Sequence, residues 1–307
     1  MPKGVVVITG PTATGKTKLG IELAKAFGGE VISADSMQLY KHMDIGTATP
    51  DAEEMEGIPH HMLSVIEPWE DYSVSLYVAA AAACVDDVLS RGKLPIIVGG
   101  TGLYIDSLLS GRGFMGGSAE LREKFSLQYD ELGGEGMLRL LAEVDADSAQ
   151  RLHANDKKRI VRALEVYHAT GKSITQHNIE TQSLPPRYES CKIALTFEDR
   201  ALLYDRIDRR VDIMMDMGLV AEVENLLSMG VDEKSTAMQA IGYKEPAAYF
   251  AGELSREEAI EKIKQESRRY AKRQLTWLRR DKDIHWIHRD GVSDPTEHVR
   301  EILALWQ

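Results

Sequence analysis

Cysteine is almost absent: Cys84 and Cys191 are the only two in 307 residues. They stand far apart and lack the close spacing of a zinc or redox motif, so both read as reduced packing thiols. Long apolar runs are missing too. None reaches the ~20 residues a membrane helix needs, and the longest stretch of small residues, Val78 to Val88, is broken by Asp86 and Asp87. No membrane association is expected. Positive charge is in deficit, with 37 Lys plus Arg against 48 Asp plus Glu. The resulting net charge of −11 argues, as an average, against a nucleic-acid binder. The chain opens on a strand-like segment rather than a charged and then apolar leader, from which a cytoplasmic location is expected. What remains has the ordinary make-up of a folded protein, long enough for one large domain or one domain carrying an insertion.

The order of the patterns is informative. Val5-Val6-Val7-Ile8 is a β-branched run suited to a parallel strand buried on both faces, followed by a Gly-rich loop and a helical stretch, Lys16 to Phe27. A second strand over Glu30 to Ala34 ends at Asp35. A helix over Val74 to Ser90, capped by Ser73, precedes a third strand, Leu94 to Val98, which ends in Gly99-Gly100-Thr101-Gly102. This alternation predicts an α/β fold, an open parallel sheet of the P-loop NTPase-like kind. Between the turn Gly111-Arg112-Gly113 and Leu184-Pro185-Pro186 the pattern becomes purely helical: Ala119 to Leu132, Leu138 to Val144 and Asp156 to Thr170. The expected organisation is a core of residues 1–111 and 187–307 with an inserted all-helical domain over 112–186. The core resumes with a strand at Lys192 to Phe197 and a helix from Asp199 to Met217 stopped by Gly218. A last long helix opens with the capping box Ser255 to Glu258 and runs to about Arg280.

Gly10-Pro11-Thr12-Ala13-Thr14-Gly15-Lys16-Thr17 matches G-x-x-x-x-G-K-[ST] and stands between a predicted strand and a predicted helix. Its amides would form an anion nest, with Lys16 on the terminal phosphate and the Thr17 hydroxyl on Mg²⁺. The motif alone does not separate a kinase or an ATPase from another diphosphate user. Asp35 and the Gly99 to Gly102 turn both follow strand ends and so face the same crevice. Asp35 is open to three readings at this point: metal ligand, general base or helix cap. The third strand ends in glycine where P-loop phosphoryl-transfer enzymes commonly carry an acid supporting Mg²⁺, which disfavours phosphoryl transfer. Arg268, Arg269, Lys272, Arg273, Arg279 and Arg280, without an acid among them and beside Tyr270, Gln274 and Trp277, suit a phosphate backbone despite the global charge. Lys157, Lys158, Arg159 and Arg162 form a second basic cluster. His60-His61 lacks a third ligand nearby and reads as structural. Met214, Met215 and Met217 read as core or groove lining.

Taken together, the phosphate loop, Asp35 to Tyr40, Gly46-Thr47-Ala48, Gly99 to Tyr104, Asn155-Asp156 with Lys158 to Glu165, Ala240 to Lys244 and Ala271 to Trp277 resemble the tRNA dimethylallyltransferase family over residues 5 to about 280. The resemblance implies transfer of a dimethylallyl group from dimethylallyl diphosphate to N6 of adenosine 37, in tRNAs reading codons that begin with U. It implies that the loop holds the prenyl diphosphate and that Mg²⁺ neutralises the departing diphosphate, which accounts for the missing acid. Asp35 matches the family's base and Thr101 a residue orienting the adenine, while Arg206 and Arg210 match a segment supplying a cation to the diphosphate. The base must leave its stack at a cost of a few kcal/mol. Asp35, Ser36, Met37, Gln38, Thr101, Lys158, Arg159, Ile160, Val161, Arg162, Gln239, Gly242, Lys244 and Arg273 match tRNA-contacting positions, and the helical insertion would clamp the anticodon stem. No zinc-finger extension of the kind found in some eukaryotic relatives follows Trp286, and a bacterial-type monomer is expected. An adenylate isopentenyltransferase and a nucleotide or metabolite kinase are the competing readings.

Overall fold

A computed structural model describes residues 4–111, 113–182, 184–291 and 294–306; Arg112, in the expected turn, lies outside them. Among the described residues the first stretch runs β1 (Val5–Thr9), α1 (Lys16–Phe27), β2 (Gly29–Ser33), β3 (His60–His61), α2 (Val74–Ser90), β4 (Leu94–Val98) and α3 (Gly102–Ser110). Helices α4 (Ala119–Val144), α5 (Ala146–Arg151), α6 (Lys157–Thr170) and α7 (Ile174–Gln182) follow. The chain then continues through β5 (Ser190–Thr196), α8 (Arg200–Asp216), α9 (Leu219–Ser228), α10 (Lys244–Phe250), α11 (Arg256–Leu278), β6 (Ile284–His288) and α12 (Thr296–Trp306).

The strands form one parallel sheet in the order β3-β2-β4-β1-β5-β6. Strand β1 lies between β4 and β5, and its alternation divides the core. Val5 and Val7 pack with Ile32, Ile97 and helices α2 and α3 on one face, Val6 and Ile8 with Ile96, Ile193, α1 and α12 on the other. Every β1 residue is buried, and each fully buried aliphatic side chain contributes about 1.5–3 kcal/mol. Because all strands run one way, the loops after β1, β2 and β4 emerge at the same sheet edge.

Two compact units result, Met1–Leu109 with Arg187–Gln307, and Ser110–Pro186. The first boundary falls two residues before the expected one. In the helical unit, α4 is broken at Gly133 (φ 67°, ψ 170°), which matches two expected helices rather than one. Its core is built from Phe125, Met137, Leu141, Ile160, Val161 and Leu164.

Several elements were not legible beforehand. β6, Ile-His-Trp-Ile-His, mixes aromatic and ionisable residues and, among the described residues, pairs with β5 alone, so the strand pattern is weak. α12 is defined by packing Val299 and Leu303 beneath the sheet. His60-His61 forms a short edge strand on β2. The His61 Nε2 lies 2.8 Å from Glu30 Oε2, in a cluster where Arg91, then Lys93 and His61, hold the Glu30 carboxyl well below its usual range. Met214 is buried and Met215 packs against the core, but Met217 is exposed, which corrects its reading as core.

Candidate active site

The phosphate loop is built by contacts that leave little freedom at its glycines. Gly10 (φ +136°) approaches so closely that a β-carbon there would lie 2.2 Å from the Leu195 carbonyl oxygen. Gly15 has φ +88°, with the Arg289 guanidinium 2.8 Å from where a β-carbon would stand. Ala13 is held at φ 64°, a conformation that persists only where its surroundings over-determine it. Those surroundings are visible. Arg206 Nε donates to the Ala13 carbonyl at 2.9 Å and Arg289 Nη1 to that of Thr14 at 3.0 Å, while the Thr14 hydroxyl donates to Pro11 O at 2.9 Å. Thr12, Ala13, Gly15, Lys16 and Thr17 line a cavity of about 400 Å³; Gly10, Pro11 and Thr14 shape the loop from behind.

Across the cavity, Asp35 Oδ1 accepts the Met37 N–H at 2.9 Å, which orients the carboxylate at the end of β2. Thr101 does not line the cavity. Its Oγ1 accepts the Ser36 N–H at 3.1 Å, and its side chain bonds that of Tyr270, which does line the cavity, so it supports the Asp35-Ser36 turn at the cavity's edge. The glycines around it have separate reasons. A β-carbon at Gly99 would lie 2.2 Å from Ala34 O, one at Gly100 2.2 Å from Gln274 Nε2, and one at Gly102 2.3 Å from the Trp277 ring. Gln274 Nε2 donates to Gly100 O at 2.9 Å and its Oε1 accepts the Thr12 N–H at 3.0 Å, so one buried amide ties the phosphate loop to this turn. Gly100→Ala should therefore push Gln274 aside and separate the two loops, destabilising by about 1–3 kcal/mol and lowering activity. Thermal melts and kinetics of the variant check this, and an unchanged melting temperature would contradict it.

Helix α8 brings a cation. Arg210 lines the cavity and is half-buried; desolvation pulls its pKa down, while Asp35 and Glu54 oppose that. Arg206 does not line it and holds the loop backbone instead. Lys16 Nζ donates to Pro11 O at 2.7 Å, and its pKa is lowered from 10.5 to about 7, first by burial, then by Arg210, with Asp35 opposing. Lys16, Arg210 and Asp35 thus converge on one space. Folding releases a proton from Lys16 between about pH 7 and 10.5, so its burial is least costly at the alkaline end of that window. An anion at the loop restores the charge, so binding takes up a proton above about pH 7. The affinity advantage of the wild type over Lys16→Met for inorganic diphosphate should shrink as pH rises from about 6 to 9. Calorimetric titration of both proteins tests this; a pH-independent ratio would contradict it.

Helix α11 closes the cavity with Ser267, Tyr270, Arg273 and Gln274. The Tyr270 hydroxyl is pushed up to about 12, mainly by burial and next by Asp35, and so stays protonated as a donor. Arg273 stands 5.5 Å from the Tyr270 ring. The basic run is less free than its sequence implies: Arg268 pairs with Asp208 and Arg269 with Glu266, acids from one turn or one helix away. Ile207, Val211 and Met214 on α8, with Ile263, supply an apolar strip.

Ser36, Met37, Gln38, Gln239 and Gly242 line the same cavity, and Lys244 does not. On the helical unit, Lys158 and Arg159 are exposed, with Arg159 paired to Asp156 at 2.8 Å. Ile160 and Val161 are buried in that unit's core, so their side chains are packing groups and not contact surface. Arg162 donates to Glu165 and to Met115 O, both at 2.9 Å, and holds the unit together. Arg289 and Glu222 were missed. Recognising β6 as a parallel strand would have placed Arg289 at the loop edge; Glu222 carries no local signal.

Fold and site define a phosphate-loop α/β protein in which an anion site and a carboxylate share one cavity. A family model described as IPP transferase matches residues 38–281, and one described as Isopentenyl transferase matches residues 3–64. The tRNA dimethylallyltransferase of Acetivibrio thermocellus is 50% identical over 300 residues, covering 97% of this chain and 96% of the relative. The crystal structure of the tRNA delta(2)-isopentenylpyrophosphate transferase from Staphylococcus epidermidis is similar with a TM-score of 0.73 at 42% identity, covering 99% of both chains. That of a eukaryotic dimethylallyltransferase acting on tRNA is similar with a TM-score of 0.83 at 30% identity, covering 98% of this chain and 78% of that one. The chain belongs to the IPP transferase family.

Proposed function

We propose that this protein is a tRNA dimethylallyltransferase. It transfers the dimethylallyl group of dimethylallyl diphosphate to N6 of adenosine 37, beside the anticodon, in tRNAs reading codons that begin with U. The observation that carries this reading is the convergence of Lys16, Arg210 and Asp35 on one cavity, with no other carboxylate among the described lining residues. Such a site holds a leaving diphosphate and accepts a proton. The N6–C1 bond forms as the C1–O bond breaks, the electron pair leaves on the diphosphate, and the N6 proton passes to Asp35. The loop amides, Lys16 and Arg210 take up the charge developing on the leaving group.

The hydroxyl of Thr17, which lines the cavity, fits Mg²⁺ of the kind held chiefly by substrate phosphates and water. Bound there, the ion would neutralise leaving-group charge. Lys158 and Arg159, exposed on the helical unit, and Arg273 supply cations for the anticodon stem-loop. The protein acts as a cytoplasmic monomer.

A second reading keeps isopentenyl transfer, with which the match of residues 3–64 agrees, and takes free adenine nucleotides as the acceptors. Incubation with unmodified tRNA, dimethylallyl diphosphate and Mg²⁺, followed by mass spectrometry of the digested RNA, separates the two. Prenylated adenosine in tRNA is expected, with affinity falling steeply as salt is raised. Product on free AMP alone would replace this reading by the second, and phosphorylation from ATP would replace both.

A further inference from the structure

One wall of the cavity is formed by residues 46–48 and 239–242. Glu222, on α9, is not among the lining residues, yet it joins the two segments. Its Oε2 accepts the N–H groups of Asp44 and Ile45 at 2.9 and 2.8 Å. Its Oε1 accepts that of Gly46 at 3.1 Å and the Tyr243 hydroxyl at 2.7 Å. Three consecutive amides turned onto one anion form a nest, here filled by the protein's own carboxylate. Gly46 is required by the same arrangement, since a β-carbon there would lie 2.5 Å from the Tyr243 ring. On the carbonyl side of this loop, Gln38 Nε2 donates to Thr47 O at 3.3 Å and Ala48 O at 3.1 Å, while its Oε1 accepts the Ser33 hydroxyl at 2.8 Å. Ala48 is held at φ 48°. A loop gripped at both its amides and its carbonyls can sustain such a backbone.

We propose that Glu222 is a positioning residue that fixes this wall for the RNA substrate and touches neither substrate itself. The proposal rests on the transfer reading above. Two observations direct it to the RNA rather than the diphosphate. The wall carries no cation, only neutral groups such as Thr47, Gln239 and Ile241, so it suits the shape of a base and ribose and not a polyanion. It also lies away from the charged end. Along α8, Arg210 neighbours Lys16 and Asp35, Met214 follows one turn later, and Leu219 beyond it meets Gly242.

The test is steady-state kinetics of the wild type, Glu222→Ala, Glu222→Gln and Tyr243→Phe against both substrates, with a thermal melt of each. Glu222→Ala should raise KM for tRNA by about tenfold or more while KM for dimethylallyl diphosphate stays within about twofold. Glu222→Gln, whose amide oxygen still accepts two of the N–H groups, should recover part of that loss. Tyr243→Phe, which removes only the phenolic hydroxyl and leaves the Glu222 carboxylate in place, should move KM for tRNA in the same direction by less, and it decides the matter if Glu222→Ala does not fold. A parallel rise in both KM values, or a fall in kcat alone, would overturn the proposal. Absence of tRNA prenylation by the wild type would instead overturn the reading beneath it.

Discussion

Asp35→Ala should lower kcat for prenyl transfer by about 10²–10⁴-fold, the range of a general base, while tRNA binding changes by no more than a few-fold. The exocyclic N6 is a weak nucleophile because its lone pair is delocalised into the adenine ring. Attack on C1 therefore benefits from a carboxylate that takes the proton as the bond forms. Asp35 is oriented by its bond to the Met37 N–H and by the support Thr101 gives the next residue. The carboxylate also faces Lys16 and Arg210, whose pKa values it raises against the effect of burial, so its charge belongs to the same electrostatic unit as the leaving-group site. Asp35→Asn keeps the hydrogen-bond acceptor and the shape but cannot take a proton, and its kcat should fall nearly as far. Filter binding or fluorescence titration of tRNA beside single-turnover kinetics measures both quantities. Equal losses in rate and affinity would make Asp35 a binding residue.

The two arginines of α8 should separate sharply. Arg210→Ala is expected to lower kcat/KM for dimethylallyl diphosphate by about 10²–10³-fold, as removal of a preorganised charge-stabilising group does, because Arg210 lines the cavity beside Lys16. Arg206→Ala removes a bond to the Ala13 carbonyl and should cost about tenfold, mostly in KM, through a loosened loop. Arg210→Ala also relieves the repulsion that, after burial, most depresses Lys16. The ligand-free variant should consequently melt at a higher temperature than the wild type although it is less active, a trade-off common where a site concentrates like charge. Kinetics and differential scanning calorimetry of both variants check this. A larger loss from Arg206→Ala would reverse the assignment.

The buried, strongly patterned parts of the fold were legible in the sequence. Val5 to Ile8 and Leu94 to Val98 read as strands and are strands, both fully buried, and Ser255 with Glu258 forms the capping box that opens α11. The segments that failed to show themselves depend on partners distant in the chain. β6 is a strand because β5 offers an edge, and α12 a helix because the sheet's underside must be covered. The same division holds at the site. Lys16 and Asp35 were visible because motif and strand end place them locally. Whether Arg206 or Arg210 enters the cavity is a matter of helix phase against the loop, and it emerged only from the fold. Ile160 and Val161 show the reverse error: a segment that carries surface cations also carries inward-facing residues, and a matched segment does not distinguish them.

The reading of the loop as the holder of a leaving group, with the nucleophile supplied by RNA, is tested most directly by stoichiometry. Purified protein is given tRNA, dimethylallyl diphosphate and Mg²⁺ without ATP, and diphosphate released is counted against prenylated adenosine formed. One diphosphate per modified adenosine, unchanged when ATP is added, is the predicted result. Transfer that requires ATP, or phosphate cleaved from ATP in step with product, would contradict it.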